Sequence, residues 1–385
     1  MQSGLPIQLF VSTPSGPLPL TPERGRLPLP QGADSRGTAL SYGPYLQGIA
    51  RFLSQNTGSI VTHCLSRHMG RPVSWKEIER LDIISEKHGA LYHVVHLLMH
   101  LPGETASFAL NVAVSPEQQA FLATEVQLLT MLHEHFSRPH LPRVYCEGEA
   151  LYAAEDGSER TLTLFVAEWF EGYHEFHLAG DPREEFPVIK VWGLEKGDTL
   201  LNASDMHALY RQASAILTDY LDPHSFRQIY PWHHAAGDFI LRQNPDGIQL
   251  KLITARDYRA LMSPGPDPDE RWLALCHFFF NLTLRMRLDR LEGTGELAWA
   301  SPQSLHGIIA GFAESWARKA RHEASLPPPE EVLSFMHQFT TREWLSLGEA
   351  VLEDSMVEAE EAPFLKQHLG KHISALMEAL QSCFP

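Results

Sequence analysis

The sequence predicts an α+β fold in which a small part rich in antiparallel strands precedes a larger helical part. From residue 81 to residue 167, apart from a helical segment at 116–135, the apolar residues largely alternate with a period of two, which is typical of strands. Beyond residue 170 they recur at helical spacing, apart from one β-hairpin at 239–253. The chain has 385 residues, which is enough for two or three structural units.

The composition is that of an ordinary globular protein, with 44% hydrophobic and 20% charged residues. A formal net charge of −16 disfavours a general nucleic-acid binder, because little would neutralise the phosphates. No run reaches the roughly 18 apolar residues of a membrane span, and Met1 is followed by polar, Pro-rich sequence rather than a signal peptide. We therefore expect a cytoplasmic protein whose four widely spaced cysteines stay reduced.

The first 80 residues are expected to form a flexible arm and a helical extension. Residues 1 to about 40 are rich in Pro, Gly, Ser and Thr, with one short strand predicted at 7–11. Apolar residues at helical spacing predict a helix over 44–69. Ser74 with Glu77 three residues later makes a capping box, which predicts a further helix start.

Residues 81–170 are expected to form the β-rich part. The alternating pattern predicts strands, which we place at 82–85, 92–99 and 107–114. An amphipathic pattern predicts a helix over 116–135. Two further strands, at 141–146 and 162–167, complete this part of the chain.

Residues 171–385 are expected to be mainly helical. A helix over 203–221 precedes the hairpin, whose strands at 239–241 and 250–253 are joined by the turn 244–247. The remaining periodic segments predict five helices, at 269–291, 303–322, 328–337, 341–355 and 363–381.

This arrangement resembles the protein-kinase-like superfamily. Three strands, a helix and two strands follow one another in a kinase small lobe, and kinases place catalysis around such a hairpin. The segments Asp238-Phe-Ile-Leu241, Leu250-Lys-Leu-Ile-Thr-Ala-Arg256 and Arg271-Trp272 are most similar to the lipopolysaccharide (heptose and Kdo) kinases of bacterial envelopes. The resemblance implies a bilobal kinase-like fold, with a small antiparallel β lobe over 81–170, a larger helical lobe over 171–385 and a helical N-terminal extension.

The residues at the catalytic positions depart from the kinase pattern. The match places Asn111 where kinases have the lysine that holds the nucleotide phosphates, and Glu125 where they have its glutamate partner. It places His233 at the catalytic aspartate and Thr254 at the metal-binding aspartate. Asp238 falls where protein kinases have a metal-binding asparagine, and it still offers an oxygen ligand.

Each candidate around the hairpin also has a structural interpretation. His233 is a base or a ligand contact, or a hydrogen-bonded structural histidine. Asp238 is a metal ligand, or an acceptor for backbone N–H groups of its own loop. Asp257 replaces the missing metal-binding carboxylate, or it pairs with Arg256 or Arg259 or caps the following turn. The sequence leaves these alternatives open.

The candidates in the β-rich part are also ambiguous. Glu125 is an active-site acid, or it pairs with Lys87 or faces solvent. Trp169, which follows Glu168 just after the last predicted strand, lines an adenine cleft if a nucleotide binds, or it packs between the two lobes. The resemblance therefore implies five candidate nucleotide-binding residues: Asn111, Glu125, Glu168, Trp169 and Thr254.

Three substitutions in one site disfavour ordinary phosphoryl transfer, because Mg²⁺ prefers carboxylate and phosphate oxygens. The resemblance thus implies a pseudokinase that binds a nucleotide, another ligand or a protein partner, with a link to bacterial envelope biogenesis. One alternative is an active phosphotransferase acting on a sugar or a lipid-linked sugar, in which Asp238 and Asp257 hold the metal and His233 is the base. Another is an interaction scaffold. ATP and Mg²⁺ stay open as cofactors, as does peripheral contact with a membrane.

Overall fold

The structure is a computed structural model that describes residues 5–13, 15–33, 39–88, 91–136, 138, 140–154, 157–193, 197–233, 237–265, 267–355 and 360–383. The chain divides into two compact units. The first comprises Met1–His133 and Pro142–Glu171, and the second comprises Glu134–Leu141 and Gly172–Pro385.

The first unit is built on a seven-stranded sheet. Its elements are β1 (Ile7–Val11), β2 (Leu18–Pro19), α1 (Pro22–Gly25), β3 (Pro28–Ala33), β4 (Ala39–Ser41), α2 (Tyr42–Met69), β5 (Arg80–His88), β6 (His93–Leu101), β7 (Glu104–Ala113), α3 (Pro116–His135), β8 (Val144–Ala153) and β9 (Glu159–Glu168). The strand order is β2-β1-β5-β6-β7-β9-β8. The pairing is antiparallel except between β1 and β5, which run parallel.

Helix α2 packs directly on β8 and supplies much of the core of this unit. A Cβ atom at Gly48 of the helix would lie only 3.0 Å from the Cβ of Tyr152, and one at Gly148 of the strand would lie 2.7 Å from the ring of Phe52. Glycine therefore allows the close approach at both points. The fully buried side chains that α2 adds to the core include Tyr45, Leu46, Ile49, Leu53, Val61, Cys64 and Leu65.

The second unit contains most of the helices. Its elements are β10 (Phe176–Ala179), β11 (Val188–Val191), β12 (Thr199–Leu200), α4 (Ala203–Asp219), β13 (Arg227–Ile229), β14 (Phe239–Asn244), β15 (Gly247–Leu252), β16 (Tyr258–Ala260), α5 (Pro268–Arg285), β17 (Leu288–Arg290), β18 (Leu297–Trp299), α6 (Ser304–His322), α7 (Pro329–His337), α8 (Thr341–Asp354) and α9 (Glu361–Ser382). The strands pair as β10-β11-β12, β13-β16, β14-β15 and β17-β18.

Helices α4 and α6 pack with their backbones in contact. A Cβ atom at Gly311 would lie 2.0 Å from the carbonyl oxygen of Arg211, so no larger residue fits there without a shift of the backbone. The hydroxyl of Ser214 donates to the carbonyl of Ile308 at 2.7 Å across the same contact. Helix α5 lies in the core, because every residue from Ala274 to Arg285 is buried.

The predicted elements occur in the predicted order, but the sequence analysis missed the short strands β10–β13 and β16–β18 of the second unit. The order of three strands, one helix and two strands over 81–170 is confirmed, and α3 has the predicted bounds. The capping box of Ser74 and Glu77 is present, but it opens only a single 3-10 turn, because strand β5 begins at Arg80. The helix expected over 269–291 ends at Arg285, and the chain continues as β17.

The segment expected to be a flexible arm contains secondary structure where it is described. Strand β1 has the predicted bounds and joins the main sheet through β5. The chain is thus an α+β protein with a large, mostly antiparallel sheet. In the part of the chain that the structure describes, no helix combines the length and the apolar character that a membrane span requires.

Candidate functional site

The hairpin β14–β15 is held from both sides within the second unit. Its turn forms at the predicted place, with Asn244 paired to Gly247, whose φ of 119° suits glycine. Leu241 exchanges two backbone hydrogen bonds with His174, at 2.8 and 2.9 Å. On β15, the side-chain amide of Gln212 donates to the carbonyl of Ile248 at 2.9 Å and accepts from the N–H of Leu250 at 3.0 Å. These contacts along both strands fix the position of the hairpin within the second unit.

Asp238 lies immediately before β14 and is 2% exposed. Arg256 binds both of its carboxylate oxygens, with Nη1 2.7 Å from Oδ2 and Nη2 in contact with Oδ1. The backbone N–H of His233 donates to Oδ2 at 2.7 Å. Burial raises the pKa of Asp238, while Arg256 and the N–H of His233 act in the opposite direction. Internal donors therefore occupy both oxygens, as in the loop-stabilising interpretation of this residue.

His233 lies near a second buried ion pair. Its Nδ1 is 4.0 Å from Oε1 of Glu361, and Oε2 of Glu361 accepts from Nη2 of Arg285 at 2.9 Å. The sequence analysis missed Arg285 and Glu361. The only signal in the sequence is an arginine at the end of a helix whose later turns are mainly apolar. His234, the neighbouring histidine, lies outside the described residues.

The two candidates after β15 have different surroundings. Thr254 is buried, two residues before the arginine that binds Asp238. Asp257 is about half exposed, accepts from the N–H of Tyr258 at 2.7 Å and lies 3.4 Å from Nε of Arg259. Of the two arginines proposed as its partner, Arg259 is the one that pairs with it. Among the described residues, no group of three or more His, Cys, Asp or Glu side chains is arranged to hold a metal ion.

In the first unit, Asn111 and Glu125 are both buried. Asn111 lies on β7, between Val94 of β6 and Phe165 of β9 in the sheet, and is 8% exposed. Glu125 on α3 is 1% exposed, so the expectation that it faces solvent is wrong. An apolar-facing position on a long amphipathic helix explains its burial. The side chain of Lys87, its suggested partner, lies outside the described part.

Glu168 and Trp169 lie at the end of β9. The carboxylate of Glu168 is 3.4 Å from the N–H of Arg143, and the backbones of these two residues are also hydrogen bonded. The indole of Trp169 stacks on the ring of His96, with centroids 4.0 Å apart and planes inclined by 10°. This contact within the first unit fixes one face of an aromatic ring that stays partly exposed.

The candidates thus fall into two groups. In the second unit the structure brings His233 and Asp238 into direct contact through a backbone N–H. In the first unit the candidates are distributed over β7, α3 and the end of β9. A carboxylate bound by an arginine can stabilise a loop, and a half-exposed carboxylate such as Asp257 can still accept an outside cation.

Comparisons with known proteins give distant similarities only. No family model and no curated protein matches the chain. One matching solved structure is a kinase domain, 10% identical, with a TM-score of 0.28, covering 78% of this chain and 93% of its own. Another is a proposed fructosamine-3-kinase from Haemophilus somnus 129PT, also 10% identical, with a TM-score of 0.25, covering 84% of this chain and 97% of its own. TM-scores this low record similarity to two kinase structures without establishing a shared fold.

Proposed function

We propose that this protein is a pseudokinase with a kinase-like fold, which binds a nucleotide or a related ligand and does not transfer phosphoryl groups. The observation that carries the proposal is the binding of Arg256 to both oxygens of Asp238. The residue matched to a metal ligand already has a cationic partner from its own chain.

The coordination chemistry of Mg²⁺ explains why this contact argues against phosphoryl transfer. The ion needs carboxylate or phosphate oxygens in a near-octahedral arrangement. Here the negative charge of Asp238 is compensated by a guanidinium, and three N–H donors already use both of its oxygens. Displacing Arg256 would leave the buried carboxylate of Asp238 without its cationic partner, which is costly. Thr254, matched to the second metal-binding position, adds no charge.

The candidate nucleotide-binding residues of the first unit support a binding role. Trp169 offers an aromatic ring, partly exposed, at the strand end where the resemblance places the kinase hinge. Asn111 supplies a neutral amide where a catalytic kinase has a lysine, so phosphates would be held by less positive charge. The connection to bacterial envelope biogenesis depends on the three segments similar to lipopolysaccharide kinases, and it is part of the same proposal.

A nucleotide-binding and turnover experiment tests this function. Thermal shift and calorimetry are run with ATP and with ADP, each with and without Mg²⁺. A phosphate-transfer assay uses ATP and crude envelope sugars as acceptors. We expect stabilisation by nucleotide that does not depend on Mg²⁺, and no transfer. Transfer by the wild type that is lost in folded Asp238→Asn would overturn the proposal, and an absence of both stabilisation and transfer would favour the scaffold.

Two observations favour the alternative of an active phosphotransferase. The carboxylate of Asp257 is about half exposed, so it could take part in metal binding, and Nδ1 of His233 lies 4.0 Å from a buried carboxylate. In that case Asp257→Asn would abolish transfer and remove any Mg²⁺-dependent stabilisation by ATP. In the pseudokinase, Asp257→Asn leaves nucleotide binding unchanged.

A further inference from the structure

Two cysteines of the first unit lie side by side although they are 82 residues apart in the chain. Cys64 is on α2 and Cys146 is on β8, and their sulfur atoms are 3.4 Å apart. We propose that this pair is an oxidisable dithiol, a covalent modification site that a small-molecule disulfide such as oxidised glutathione converts into an internal disulfide. The proposal does not depend on the kinase-like function.

The packing of α2 on β8 keeps the two sulfurs close. A disulfide needs sulfurs about 2.05 Å apart, so the pair must approach by a little over 1 Å. Gly48 and Gly148 allow helix and strand to meet in close contact, at Tyr152 and at Phe52. The elements that carry the cysteines are thus held together by the core of the unit, which keeps the two thiols side by side.

The two thiols have different surroundings, which assigns them different roles. Cys146 is half-buried and Cys64 is fully buried. The hydrogen bond from Cys64 lowers the pKa of Cys146, with further contributions from the backbone of Val166 and from Arg67, against burial and the charge of Glu147. The same hydrogen bond and burial raise the pKa of Cys64. Cys146 therefore ionises first and is the nucleophile that reagents reach.

The reaction is an ordinary thiol–disulfide exchange. The Cys146 thiolate attacks one sulfur of the oxidised reagent, forms a mixed disulfide and releases the other half as a thiolate. Cys64 then gives its proton to that thiolate and attacks the sulfur of Cys146, and the second half of the reagent leaves as a thiolate that takes a proton from water. The two protein thiols lose two electrons, and the reagent gains them.

The other two cysteines serve as internal references in the second unit. Cys276 is buried, and burial raises its pKa to about 12, so it should resist the reagent. Cys383 is an exposed residue near the end of α9, and the partial burial of its thiol raises its pKa. Cys383 can form a mixed disulfide with glutathione, which reports that the reagent is active under the conditions used.

The test is a redox titration of the full-length chain in glutathione buffers of increasing oxidation, in the absence of denaturant. Free thiols are then alkylated, and the digested protein is mapped by mass spectrometry. We expect a linked pair of peptides containing Cys64 and Cys146, lighter by two hydrogen atoms, before Cys276 is modified. The linked form should also melt at a higher temperature, because the crosslink restricts the unfolded chain.

Variants separate the internal disulfide from adventitious oxidation. Cys383→Ser, the matched control, should retain the linked peptides, and Cys146→Ser should lose them. Cys64→Ala should leave Cys146 as a stable glutathione adduct. The proposal is wrong if the wild-type chain accumulates the Cys146 adduct without linkage, or shows no linkage under conditions that convert Cys383. Both of these contradicting outcomes are measured on the wild-type chain, so they remain decisive even if a variant fails to fold.

Discussion

The guanidinium of Arg256 binds both carboxylate oxygens of Asp238, which lies 18 residues earlier in the chain. Asp238 comes just before β14, and Arg256 comes four residues after β15, so the pair closes the open end of the hairpin. The side chains are 2% and 19% exposed. At this depth an ion pair contributes chiefly by compensating a charge that would otherwise be buried alone.

Removing the charge of Asp238 should therefore destabilise the second unit strongly. We expect Asp238→Asn to lower the free energy of unfolding by about 3–5 kcal/mol, because Arg256 is left without compensation. The matched control is Asp257→Asn, whose half-exposed carboxylate should contribute no more than about 1 kcal/mol. Urea unfolding followed by fluorescence measures both. Equal, small losses in the two variants would show that the Asp238–Arg256 pair does not stabilise the hairpin.

Strand β14 of the hairpin contains two neighbouring apolar residues that differ in burial. Leu241 is fully buried, whereas Ile240 is half-buried on the other face of β14. We expect Leu241→Ala to cost about 2–5 kcal/mol and Ile240→Ala clearly less, because only the first leaves a cavity in a closed core. Thermal unfolding of the two variants gives the comparison. The opposite order would mean that the alternation along β14 is reversed.

Local patterns predicted most of the elements but could not predict their long-range partners. The bounds of α3 and β1 and the turn at 244–247 follow from periodicity and from turn-forming residues within a few positions. The parallel pairing of β1 with β5 and the pairing of Arg285 with Glu361 join residues about 75 positions apart. Nothing in either local sequence specifies such a partner.

In the candidate site, too, the sequence indicated single residues but not their partners in the fold. The sequence identifies Asp238 and the two interpretations of its carboxylate, but it offers Arg256, like Arg259, only as a partner of Asp257. In the folded hairpin the chain brings Arg256 to Asp238 instead. The burial of Glu125 was also missed, because a glutamate within an amphipathic helix is usually a surface residue.

Asp219, at the end of α4, should make the second unit sensitive to acid. Although burial raises its pKa, hydrogen bonds from His140, Ser315 and Arg318 lower it to about 2, below the ordinary value of 3.8. The unfolded chain therefore binds the proton more readily than the folded one. The resulting stability, roughly 2 kcal/mol, is present above about pH 4 and is lost as the pH falls towards 2.

Asp219→Asn tests this linkage. We expect the variant to be less stable than the wild type at pH 6, with the difference shrinking as the pH falls from about 4 to about 2. Urea midpoints measured at several pH values, in a buffer of constant ionic strength, give the difference directly. A difference that stays constant over this range would show that the carboxylate is not titrating with a lowered pKa.

Two consecutive glutamates at the start of α9 form ion pairs of the same length but different burial, so they show how burial changes the contribution of an ion pair to stability. Glu361 accepts from Arg285 at 2.9 Å with the side chains 3% and 2% exposed, and Glu360 accepts from Arg290 at the same 2.9 Å with exposures of 75% and 32%. In the part of the chain that the structure describes, Nε and Nη1 of Arg285 have no hydrogen-bond partner. Among the described residues, Glu361 is therefore the carboxylate that compensates the buried charge of Arg285.

We expect Glu361→Gln to lower the free energy of unfolding by about 3–5 kcal/mol and Glu360→Gln by no more than about 1 kcal/mol. Salt should separate the two further, because dissolved ions screen the exposed pair and hardly reach the buried one. Unfolding free energies at low and at high sodium chloride measure both effects. If Glu361→Gln were as mild and as salt-sensitive as Glu360→Gln, the carboxylate of Glu361 would have to be solvated, and His233 would lie beside an accessible carboxylate rather than a buried one.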